Sequence, residues 1–534
     1  MNPNAGKIAP KEILENIATL ISDYYINYPK VDEPSQLVSF GTSGHRGSST
    51  KNSFNEAHIF AVTQAVVDYR KENNIIGNLY IGMDTHALST PAHTTTIQVL
   101  GANGVQVRYA KNFDYTPTPV ISHAILNDKG SDGIVITPSH NPPCDGGFKY
   151  NGIDGGPADT DVTNWIQTRA NEYLKNNLDR VVSAELEDVL KLENVQEYDF
   201  MTPYVDDLKN IIDMEAISKS NIKIGADAMG GSGLDYYAAI KKRYDLNMDI
   251  FNDSVDFTFS FMHCDKDGKI RMDCSSPYAM AGLIDMKDNY DIAFGNDTDF
   301  DRHGIVTKSH GLLNPNHYLS VAIDYLAKTR NFDGLGIGKT LVSSSMIDRV
   351  ALDNDKTVLE TPVGFKWFVK PLVDRIVYFG GEESAGASFL CFDKKVWTTD
   401  KDGIILNLLS AEILAKTKED PGIYYDNLVK KHGNPIYARI DAPATFEQKN
   451  KLKNLTPEDI KADTIAGEKI EQIITTASNG AKIGGLKITS KNGWFALRPS
   501  GTEDVYKIYA ESFISQKHLK MIQKEVHCIV DKIL

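Results

Sequence analysis

Long apolar runs, an excess of positive charge and paired cysteines are all missing from this sequence. No apolar run approaches the roughly 20 residues that a membrane span requires, and the N-terminal stretch MNPNAGKIAPKEILENI lacks the apolar core and cleavage site of a signal peptide. The net charge of −14 argues against nucleic acid as a partner, because a phosphate backbone calls for a basic face. The five cysteines form no C-x-x-C pair and fit a reducing compartment. We therefore expect a cytoplasmic protein without membrane or nucleic-acid partners. The expected oligomeric state is a monomer or a dimer.

What the sequence does have is 534 residues of ordinary globular composition, 41% hydrophobic and 24% charged, which is enough for several domains. Strand-like and helix-like segments alternate for most of its length, as in NLYIGMD followed by THALSTPAHTTTIQVLGANG. This alternation predicts open, mostly parallel sheets flanked by helices. The C-terminal part has short strands such as GGLKITS and GWFALRPS and one closing helix, which predicts a smaller α+β domain. Breaks in the pattern predict four domains, at residues 1–203, 204–311, 312–434 and 435–534.

The stretch TPSHNPP, from Thr137 to Pro143, holds one serine between a proline and a histidine. The preceding SDGIVI is short, apolar and β-branched, which predicts a buried strand. The prolines could simply mark a turn, or they could present Ser139 as a nucleophile at the carboxyl end of that strand. The stretch taken alone is compatible with both interpretations.

Three aspartates occupy alternate positions in GNDTDFDRHG: Asp297, Asp299 and Asp301. In an extended backbone such side chains share one face, and clustered carboxylates invite a hard divalent cation. An EF-hand loop is excluded, because Arg302 and Lys308 stand where that loop needs glycine and glutamate. The strand-like NYDIAFG before the triad predicts that it lies at the carboxyl end of a strand. A solvated acidic turn is the alternative.

Two glycine-containing turns carry groups that suit a phosphate. RPSGTED, from Arg498 to Asp504, offers a guanidinium, two hydroxyls and backbone N–H groups. FGTSGHRG, from Phe40 to Gly47, combines three glycines with Arg46, so that backbone and guanidinium could approach an anion closely. A surface turn or a flexible loop explains each stretch equally well when it is taken alone.

A third turn suits a sugar. GGEESAGASF, from Gly380 to Phe389, follows the apolar run RIVYF and offers two carboxylates and two hydroxyls. Such groups in a pocket match the hydroxyls of a sugar. A helix N-terminus enriched in glutamate is an equally good explanation of this stretch alone.

The stretch GLGIGKT has the look of a phosphate-binding P-loop but does not match its pattern. The first glycine of that pattern would fall on Asp333. A P-loop also opens a helix, whereas the segment LVSSSMID that follows is interpreted as the continuation of a strand. We therefore expect sheet here and no nucleotide site.

The motifs together favour phosphoryl transfer through a phosphoserine. Acyl transfer is poorly supported, because Ser139 lacks a G-x-S-x-G setting and the side chain of its neighbour His140 need not face it. In order and spacing, FGTSGHRG, TPSHNPP with GFKYNG, GNDTDFDRHG, GGEESAGASF and RPSGTED resemble the motifs of the α-D-phosphohexomutase superfamily. The resemblance covers essentially the whole chain, and VGFKWF and DKDGI make it most similar to bacterial, glucose-specific phosphoglucomutases.

The resemblance implies an α/β, four-domain phosphohexomutase architecture around a central cleft, with three mixed α/β domains and a smaller C-terminal α+β domain. It implies reversible interconversion of α-D-glucose 1-phosphate and glucose 6-phosphate, with one Mg²⁺ per chain and glucose 1,6-bisphosphate as intermediate and activator. A phosphorylated hexose is then the expected partner. Phosphomannomutase and phosphoglucosamine mutase are the near alternatives, and a non-catalytic phosphosugar-binding protein or a phosphosugar phosphatase are the remoter ones.

The resemblance also implies residue roles. Lys149 is the expected general acid/base, a role that calls for a pKa lowered toward neutrality by cations such as Arg46. Glu503 and Asp504 follow the phosphate turn, and we expect them to point away from the anion or to orient its donors. The implied sets are, for catalysis, Ser139, Lys149, Arg46, His140, Arg302 and Lys401; for the metal, Ser139, Asp297, Asp299 and Asp301; and for substrate, Glu382, Ser384, Gly364, Lys366, Arg498, Ser500, Gly501 and Thr502.

Overall fold

The computed structural model of the protein describes residues 2–41, 44–500 and 505–533. The chain divides into two compact units, one made of Met1–Leu313 and Ser384–Asp420 and the other of Asn314–Glu383 and Pro421–Leu534. Within the described ranges, every helix is too short or too polar to cross a lipid bilayer.

The N-terminal part of the first unit is built on a seven-stranded sheet. Its strands are β1 (Phe40–Gly41), β2 (Gly44–Ser48), β3 (Leu79–Met83), β4 (Val107–Ala110), β5 (Asp132–Ile136), β6 (Asp145–Asn151) and β7 (Val195–Tyr198), and its helices are α1 (Ile17–Ile26), α2 (Glu56–Glu72), α3 (Ser89–Ala102), α4 (Thr118–Asn127), α5 (Thr160–Lys175) and α6 (Leu186–Val189). The strand order is β1-β2-β6-β5-β3-β4-β7. Strands β5, β3, β4 and β7 are parallel, whereas β6 pairs antiparallel with both β5 and β2.

The two central strands of this sheet position the serine loop. Every residue of β3 and of β5 is buried, as is usual for parallel strands covered by helices on both faces. Met83 at the end of β3 is in register with Ile136 at the end of β5. The residues that follow, Asp84 and Thr137, therefore emerge side by side at the carboxyl edge, where open α/β sheets bind ligands. The predicted strand before Ser139 is confirmed.

A five-stranded sheet forms the rest of the first unit and carries the acidic triad. Its strands are β8 (Ile224–Asp227), β9 (Met248–Phe251), β10 (Ile292–Gly295), β11 (Gly304–Thr307) and β12 (Gly311–Leu312), and the helices of this part are α7 (Met201–Asp207), α8 (Met214–Ser220), α9 (Leu234–Tyr244) and α10 (Ala281–Asp285). The order is β12-β11-β10-β8-β9, with β10, β8 and β9 parallel. The triad follows β10, as the sequence predicts. Strand β16 (Gly386–Phe389) and helix α14 (Gly403–Thr417) complete the unit.

The second unit begins with a parallel α/β layer. Its elements are α11 (Pro315–Thr329), β13 (Gly336–Thr340), α12 (Met346–Asp353), β14 (Val358–Thr361), α13 (Lys366–Val373), β15 (Val377–Glu382) and α15 (Pro421–His432). Strand β13 lies between β14 and β15 and is parallel to both.

The prediction that LVSSSMID continues as a strand is wrong. Strand β13 ends at Thr340, and helix α12 begins at Met346. Between them the serines bond locally: Thr340 Oγ1 lies 2.8 Å from Ser343 Oγ, and Ser344 Oγ accepts from the backbone N–H of Met346 at 3.0 Å. Hydroxyl side chains that satisfy nearby backbone groups favour turns and helix starts over strands.

The C-terminal part of the second unit is the predicted α+β domain. Its elements are β17 (Ile436–Pro443), α16 (Phe446–Lys453), β18 (Thr464–Ile465), β19 (Glu468–Thr476), β20 (Lys482–Ser490), β21 (Gly493–Pro499), β22 (Val505–Ser512) and α17 (Gln516–Ile533). The sheet is six-stranded in the order β17-β22-β21-β20-β19-β18, and its main pairs are antiparallel. The apolar face of α17, with Leu519, Ile522 and Val526, is buried in the core of this domain.

Candidate active site

The serine loop holds Ser139 in a strained, buried turn of the first unit. Ser139 has φ +57°, the left-handed region that costs a non-glycine residue about 1–3 kcal/mol, and its side chain is 1% exposed. Its backbone N–H donates to Thr137 Oγ1 at 2.8 Å, and the N–H of Thr137 donates to the carbonyl of Gly147 at 2.9 Å. A Cβ on Gly147 would lie 2.0 Å from the Thr137 carbonyl oxygen, so only glycine permits this close packing.

The acidic triad converges directly on this serine. Asp297, Asp299 and Asp301 are all buried, and one carboxylate oxygen from each lies within 4.8 Å of the others. Ser139 Oγ donates to Asp297 Oδ2 at 2.8 Å. The backbone is a turn rather than the extended segment assumed from the spacing, because Phe300 adopts φ +61° and places its ring in the core. The carboxylates converge all the same.

Three cations surround the three carboxylates. Lys149 Nζ lies 2.6 Å from Asp299 Oδ2 and 3.2 Å from Asp301 Oδ2. Lys401 Nζ lies 2.9 Å from Asp301 Oδ2. The guanidinium Nε of Arg302 lies 3.7 Å from Asp297 Oδ2 and 3.8 Å from Asp301 Oδ1. Buried charges need such partners, because isolated ions are strongly disfavoured away from water.

These neighbours shift the pKa values of Asp297 and Asp301 in opposite directions. Burial, with the charges of Asp301 and Asp299 beside it, holds the pKa of Asp297 well above its usual range. Burial alone would also raise the pKa of Asp301, but Lys401, Lys149 and Arg302 outweigh it and lower that pKa. The cations are thus concentrated at the Asp301 end of the cluster.

The pKa of Lys149 differs from the sequence expectation. Burial by itself lowers it and Arg46 lowers it further, but the carboxylates of Asp299, Asp301 and Asp400 outweigh both and raise it above the ordinary value for lysine. The expected depression toward neutrality is therefore wrong for this arrangement of charges. The reason is that two of the triad carboxylates lie in direct contact with the ammonium group.

His140 turns back toward the serine. Its Nδ1 lies 3.3 Å from Ser139 Oγ, although neighbours in sequence need not face one another. Burial and then the positive charge of Arg302 hold the pKa of His140 well below its usual range, so its ring is neutral. The Ser139 hydroxyl has a closer partner in Asp297, and the turn carries none of the features of a hydrolase elbow.

The triad fits a hard divalent cation. Among the described residues, nothing donates a hydrogen bond to Oδ1 of Asp299 or to Oδ1 of Asp301, although both atoms are buried. Buried carboxylate oxygens are normally satisfied, and oxygen-only ligand sets are what Mg²⁺ and Ca²⁺ prefer. The two oxygens, with Asp297 and the Ser139 hydroxyl next to them, could therefore hold a metal ion.

Arg46 and Thr118, the second of which lies outside all the motifs, support the site. Arg46 lies on β2, and its Nη1 donates to Asn141 Oδ1 at 3.1 Å, on the far side of the serine loop. Thr118, the first residue of α4, holds Asp299 twice: its Oγ1 donates to Asp299 Oδ2 at 2.6 Å and its N–H to the Asp299 carbonyl at 2.9 Å. No sequence motif indicates a role for Thr118, because Thr118 and Asp299 are 181 positions apart in the sequence and meet only in the fold.

The second unit contains the residues expected to bind the sugar, apart from Ser384, which lies in the first. Glu382 ends β15 and is 5% exposed, and its Oε1 accepts from the backbone N–H of Gly364 at 2.9 Å. Gly364 has φ +126°, a conformation that favours glycine. Lys366 begins α13, with its Nζ 5.4 Å from the ring centre of Trp367. The structure thus brings Gly364 and Glu382 into contact.

The expected phosphate turn is described only in part. Arg498 lies half-buried on β21, and the N–H of Ser500 donates to the carbonyl of Val505 at 2.8 Å. This bond spans the base of the turn. Gly501 and Thr502, and with them Glu503 and Asp504, lie outside the described residues.

Known proteins resemble this chain along its whole length. Profiles of the phosphoglucomutase/phosphomannomutase family match it in four places: alpha/beta/alpha domain I at residues 37–177, domain II at 202–311, domain III at 314–432 and the C-terminal domain at 449–527. A phosphoglucomutase of Komagataeibacter xylinus is 56% identical over 98% of this chain and 96% of its own length. Phosphoglucomutase-1 of Dictyostelium discoideum is 27% identical over 75% of this chain and 73% of its own.

Solved structures show the same fold. The crystal structure of parafusin, a phosphoglucomutase from Paramecium, has a TM-score of 0.73 at 20% identity, over 95% of this chain and 96% of its own. A phosphoglucomutase/phosphomannomutase family protein of Burkholderia thailandensis has a TM-score of 0.71 at 20% identity, over 93% and 98%. An α/β fold of this kind, with a buried serine facing an aspartate triad, defines the phosphohexomutase class. The chain belongs to the phosphoglucomutase/phosphomannomutase family.

Proposed function

We propose that this protein interconverts α-D-glucose 1-phosphate and glucose 6-phosphate through a phosphorylated Ser139. The observation that carries the proposal is the Ser139 hydroxyl placed 2.8 Å from a buried aspartate triad and rigidly held by its loop. The choice of glucose is supported by the 56% identity, over nearly the full chain, to a phosphoglucomutase.

The reaction proceeds in two balanced transfers. In the first, the 6-hydroxyl oxygen of glucose 1-phosphate attacks the phosphorus on Ser139. The new P–O bond forms and the P–Oγ bond breaks, while the hydroxyl proton passes to a base and the released Ser139 Oγ takes up a proton. The product is glucose 1,6-bisphosphate. In the second, Ser139 Oγ attacks the 1-phosphate, its proton leaves, and the sugar oxygen takes a proton as glucose 6-phosphate departs. The enzyme ends phosphorylated as it began.

The residues around Ser139 suit these steps. Lys149, held between Asp299 and Asp301, is our candidate for the group that exchanges the proton, and its raised pKa favours the acid form. Arg302 and Lys401 bring positive charge to the place where the phosphoryl group must pass. Arg46 and His140 complete the set, Arg46 through Asn141 and His140 as a neutral neighbour of the serine.

A single Mg²⁺ per chain is the metal we propose, held by Asp297, Asp299, Asp301 and the oxygen on Ser139. Its support is the all-oxygen ligand set and the two unsatisfied carboxylate oxygens. When bound, such an ion polarises phosphoryl oxygens and neutralises the charge that spreads over them during transfer. Glucose 1,6-bisphosphate is proposed both as the reaction intermediate and as the activator that phosphorylates Ser139 when this serine carries no phosphate.

Substrate recognition is proposed from the resemblance and from local geometry. Glu382 and Ser384 would bind sugar hydroxyls, with Gly364 and Lys366 beside them. Arg498, Ser500, Gly501 and Thr502 would hold the phosphate that does not react. The four domains at residues 1–203, 204–311, 312–434 and 435–534 stay a prediction, as do a central cleft and a monomeric or dimeric state. A cytoplasmic location is proposed because all five cysteines are free.

The test is a coupled assay for glucose 6-phosphate from glucose 1-phosphate with Mg²⁺ and glucose 1,6-bisphosphate. We expect turnover by the wild type and a loss of roughly 10³-fold or more in Ser139→Ala, because the nucleophile is removed. Ser320→Ala is the matched control, since Ser320 is buried and, among the described residues, its hydroxyl bonds the Asn316 carbonyl of its own helix. Equal rates for wild type and Ser139→Ala would overturn the phosphoserine mechanism.

The same assay decides between sugars. A higher kcat/KM on mannose 1-phosphate or glucosamine 1-phosphate than on glucose 1-phosphate would assign the protein to another specificity of its family. Release of free phosphate without interconversion would indicate a phosphatase, and binding without turnover a phosphosugar-binding protein.

A further inference from the structure

A buried carboxylate that none of the sequence motifs contains lies beneath the serine loop. Asp84 follows β3 and is fully buried. Its Oδ1 accepts from the backbone N–H of His86 at 3.0 Å and from Ser89 Oγ at 2.6 Å. Its Oδ2 accepts from His86 Nδ1 at 2.8 Å and from Thr137 Oγ1 at 2.6 Å. A carboxylate with this many donors is held in one position by its surroundings.

Asp84 anchors the serine loop on both sides of Ser139. On one side Thr137, which donates to Asp84, accepts the backbone N–H of Ser139 at 2.8 Å. On the other side His86 Nε2 lies 3.0 Å from the carbonyl oxygen of Asn141. Both nitrogens of His86 face oxygens that can only accept, so both carry protons and the ring is an imidazolium paired with Asp84. The serine loop is therefore held by a buried ion pair between His86 and Asp84.

Thr298 joins this support to the acidic triad. It lies between Asp297 and Asp299 in sequence, and its Oγ1 is 2.7 Å from the Ser139 carbonyl oxygen and 3.1 Å from Asp84 Oδ2. Its own carbonyl accepts from the N–H of Ser232 at 2.7 Å and from Ser232 Oγ at 2.9 Å. Thr298 is thus fixed by the five-stranded sheet region at its backbone and bonds the seven-stranded sheet region with its side chain.

We propose that the Thr298 hydroxyl is a positioning group for phosphoryl transfer, which sets the distance between Ser139 Oγ and the triad and uses Asp84 as its anchor. The Ser139 hydroxyl and Asp297 belong to the two segments that this hydroxyl joins, and they are 2.8 Å apart. Thr298 itself touches neither the reacting oxygen nor a triad carboxylate in the described hydrogen bonds. The inference rests on the proposed function.

The test compares Thr298→Val with Thr298→Ser. Valine keeps the shape of threonine but removes the one hydroxyl proton that the Ser139 carbonyl, at 2.7 Å, and Asp84 Oδ2, at 3.1 Å, share. A misplacement of about 1 Å between reacting groups costs on the order of 10²-fold in rate. We expect kcat to fall by roughly 10- to 100-fold in Thr298→Val, with KM for glucose 1-phosphate changed by no more than about threefold, because no substrate contact is lost. Serine restores the hydroxyl, and we expect kcat within about threefold of wild type.

A second measurement follows the chemical step without turnover. Dephosphorylated enzyme is mixed with glucose 1,6-bisphosphate, quenched, and the fraction of phosphorylated chain is read by intact mass. We expect the rate of phosphorylation to fall in Thr298→Val as kcat does. Thr96→Val is the matched control, because Thr96 is buried and its hydroxyl, in the part of the chain that the structure describes, bonds the Ala92 carbonyl of its own helix at 2.8 Å.

Three results would overturn the inference while leaving the proposed function intact: wild-type kcat in Thr298→Val, a Thr298→Ser as slow as the valine variant, or an equal loss in Thr96→Val. If Thr298→Val had a lower thermal midpoint but an unchanged kcat per folded enzyme, Thr298 would contribute to stability and not to the transfer step, and the inference would be wrong. Failure of the wild type to interconvert the two sugars would instead remove the proposed function, and this inference with it.

Discussion

Lys401 reaches the acidic triad by passing directly over Gly386. A Cβ on Gly386 would lie 2.1 Å from Cδ of Lys401 and 2.9 Å from its Cγ, far closer than real atoms approach. The lysine carries its ammonium group to within 2.9 Å of Asp301 Oδ2. Gly386 in GGEESAGASF therefore contributes to the site, because its lack of a side chain leaves room for the aliphatic chain of the buried Lys401.

We predict that Gly386→Ala lowers activity by displacing Lys401 from Asp301. The loss of one fixed cation beside the transferred group should lower kcat by roughly 10- to 1,000-fold, as with other electrostatic stabilisers. Steady-state kinetics measures it. Gly152→Ala is the control, because a Cβ there first meets the end of a side chain, the Asp154 carboxylate, and only at 3.2 Å. Wild-type kcat in Gly386→Ala would show that Lys401 has no part in the rate.

At the scale of elements, the N-terminus of α14 supports both Lys401 and the triad. Asp402 caps the helix, and its Oδ1 accepts from the N–H groups of Ile404 and Ile405 at 2.9 and 3.1 Å. Its Oδ2 accepts from Tyr204 Oη and Trp397 Nε1, both at 2.7 Å. The N–H of Gly403, the next residue, donates to the Phe300 carbonyl in the triad turn at 2.9 Å. The start of this helix thus fixes the turn that carries the acidic triad.

We predict that Asp402→Ala destabilises the first unit by about 3 kcal/mol. Loss of a helix cap costs about 1 kcal/mol, and each buried donor left unpaired adds about 1 kcal/mol or more. Asp402→Asn keeps an acceptor for the cap and should cost less. The midpoint of urea denaturation measures the change. Thr445→Ala provides the comparison, because Thr445 caps α16 at an exposed position with a single bond, to Gln448. Equal losses in Asp402→Ala and Thr445→Ala would contradict the prediction.

At the scale of the whole molecule, burial leaves several histidines without a charge. Burial lowers the pKa of His45 and His303 to about 3 and the pKa of His58 and His93 to about 4. An unfolded histidine takes up its proton near pH 6.5. Between about pH 6.5 and 4 the unfolded chain therefore binds more protons than the folded one, and stability falls as the pH falls.

We predict that His93→Gln makes the protein less sensitive to acid. Relative to pH 7, each such histidine costs about 2 kcal/mol of stability at pH 5, and glutamine removes that cost while its amide can still bond near Ile81. The thermal midpoint of the first unit at pH 7 and at pH 5 measures the effect. The control is His310→Gln, which makes the same exchange of side chains at an exposed position, without burial. If the thermal midpoint fell equally between pH 7 and pH 5 in the wild type and in His93→Gln, the lowered pKa of the folded His93 would be refuted.

Local patterns were enough to predict much of this protein. Apolar, β-branched runs predicted β5 before Ser139 and β10 before the triad, and alternation of strands and helices predicted the α/β class. The spacing of the three aspartates predicted that they meet, although a turn at Phe300 brings them together. The prediction for LVSSSMID was wrong because short apolar runs suit a strand and a helix alike. The turn after Thr340 is held by a local bond from Met346 N–H to Ser344 Oγ and by a distant one from Ser344 Oγ to Glu511.

What the sequence determined by itself was therefore the order of the elements and which side chains follow each strand, because those depend on residues a few positions apart. Only the tertiary structure decided the charge state of Lys149, the contact of His140 with Ser139, and the support of the serine loop by Asp84 and Thr298. Asp84, for example, lies 53 positions from Thr137 and 214 positions from Thr298 in the sequence. A carboxylate or an ammonium group responds to every charge and dipole around it in space, and the spacing of residues along the chain does not contain that field.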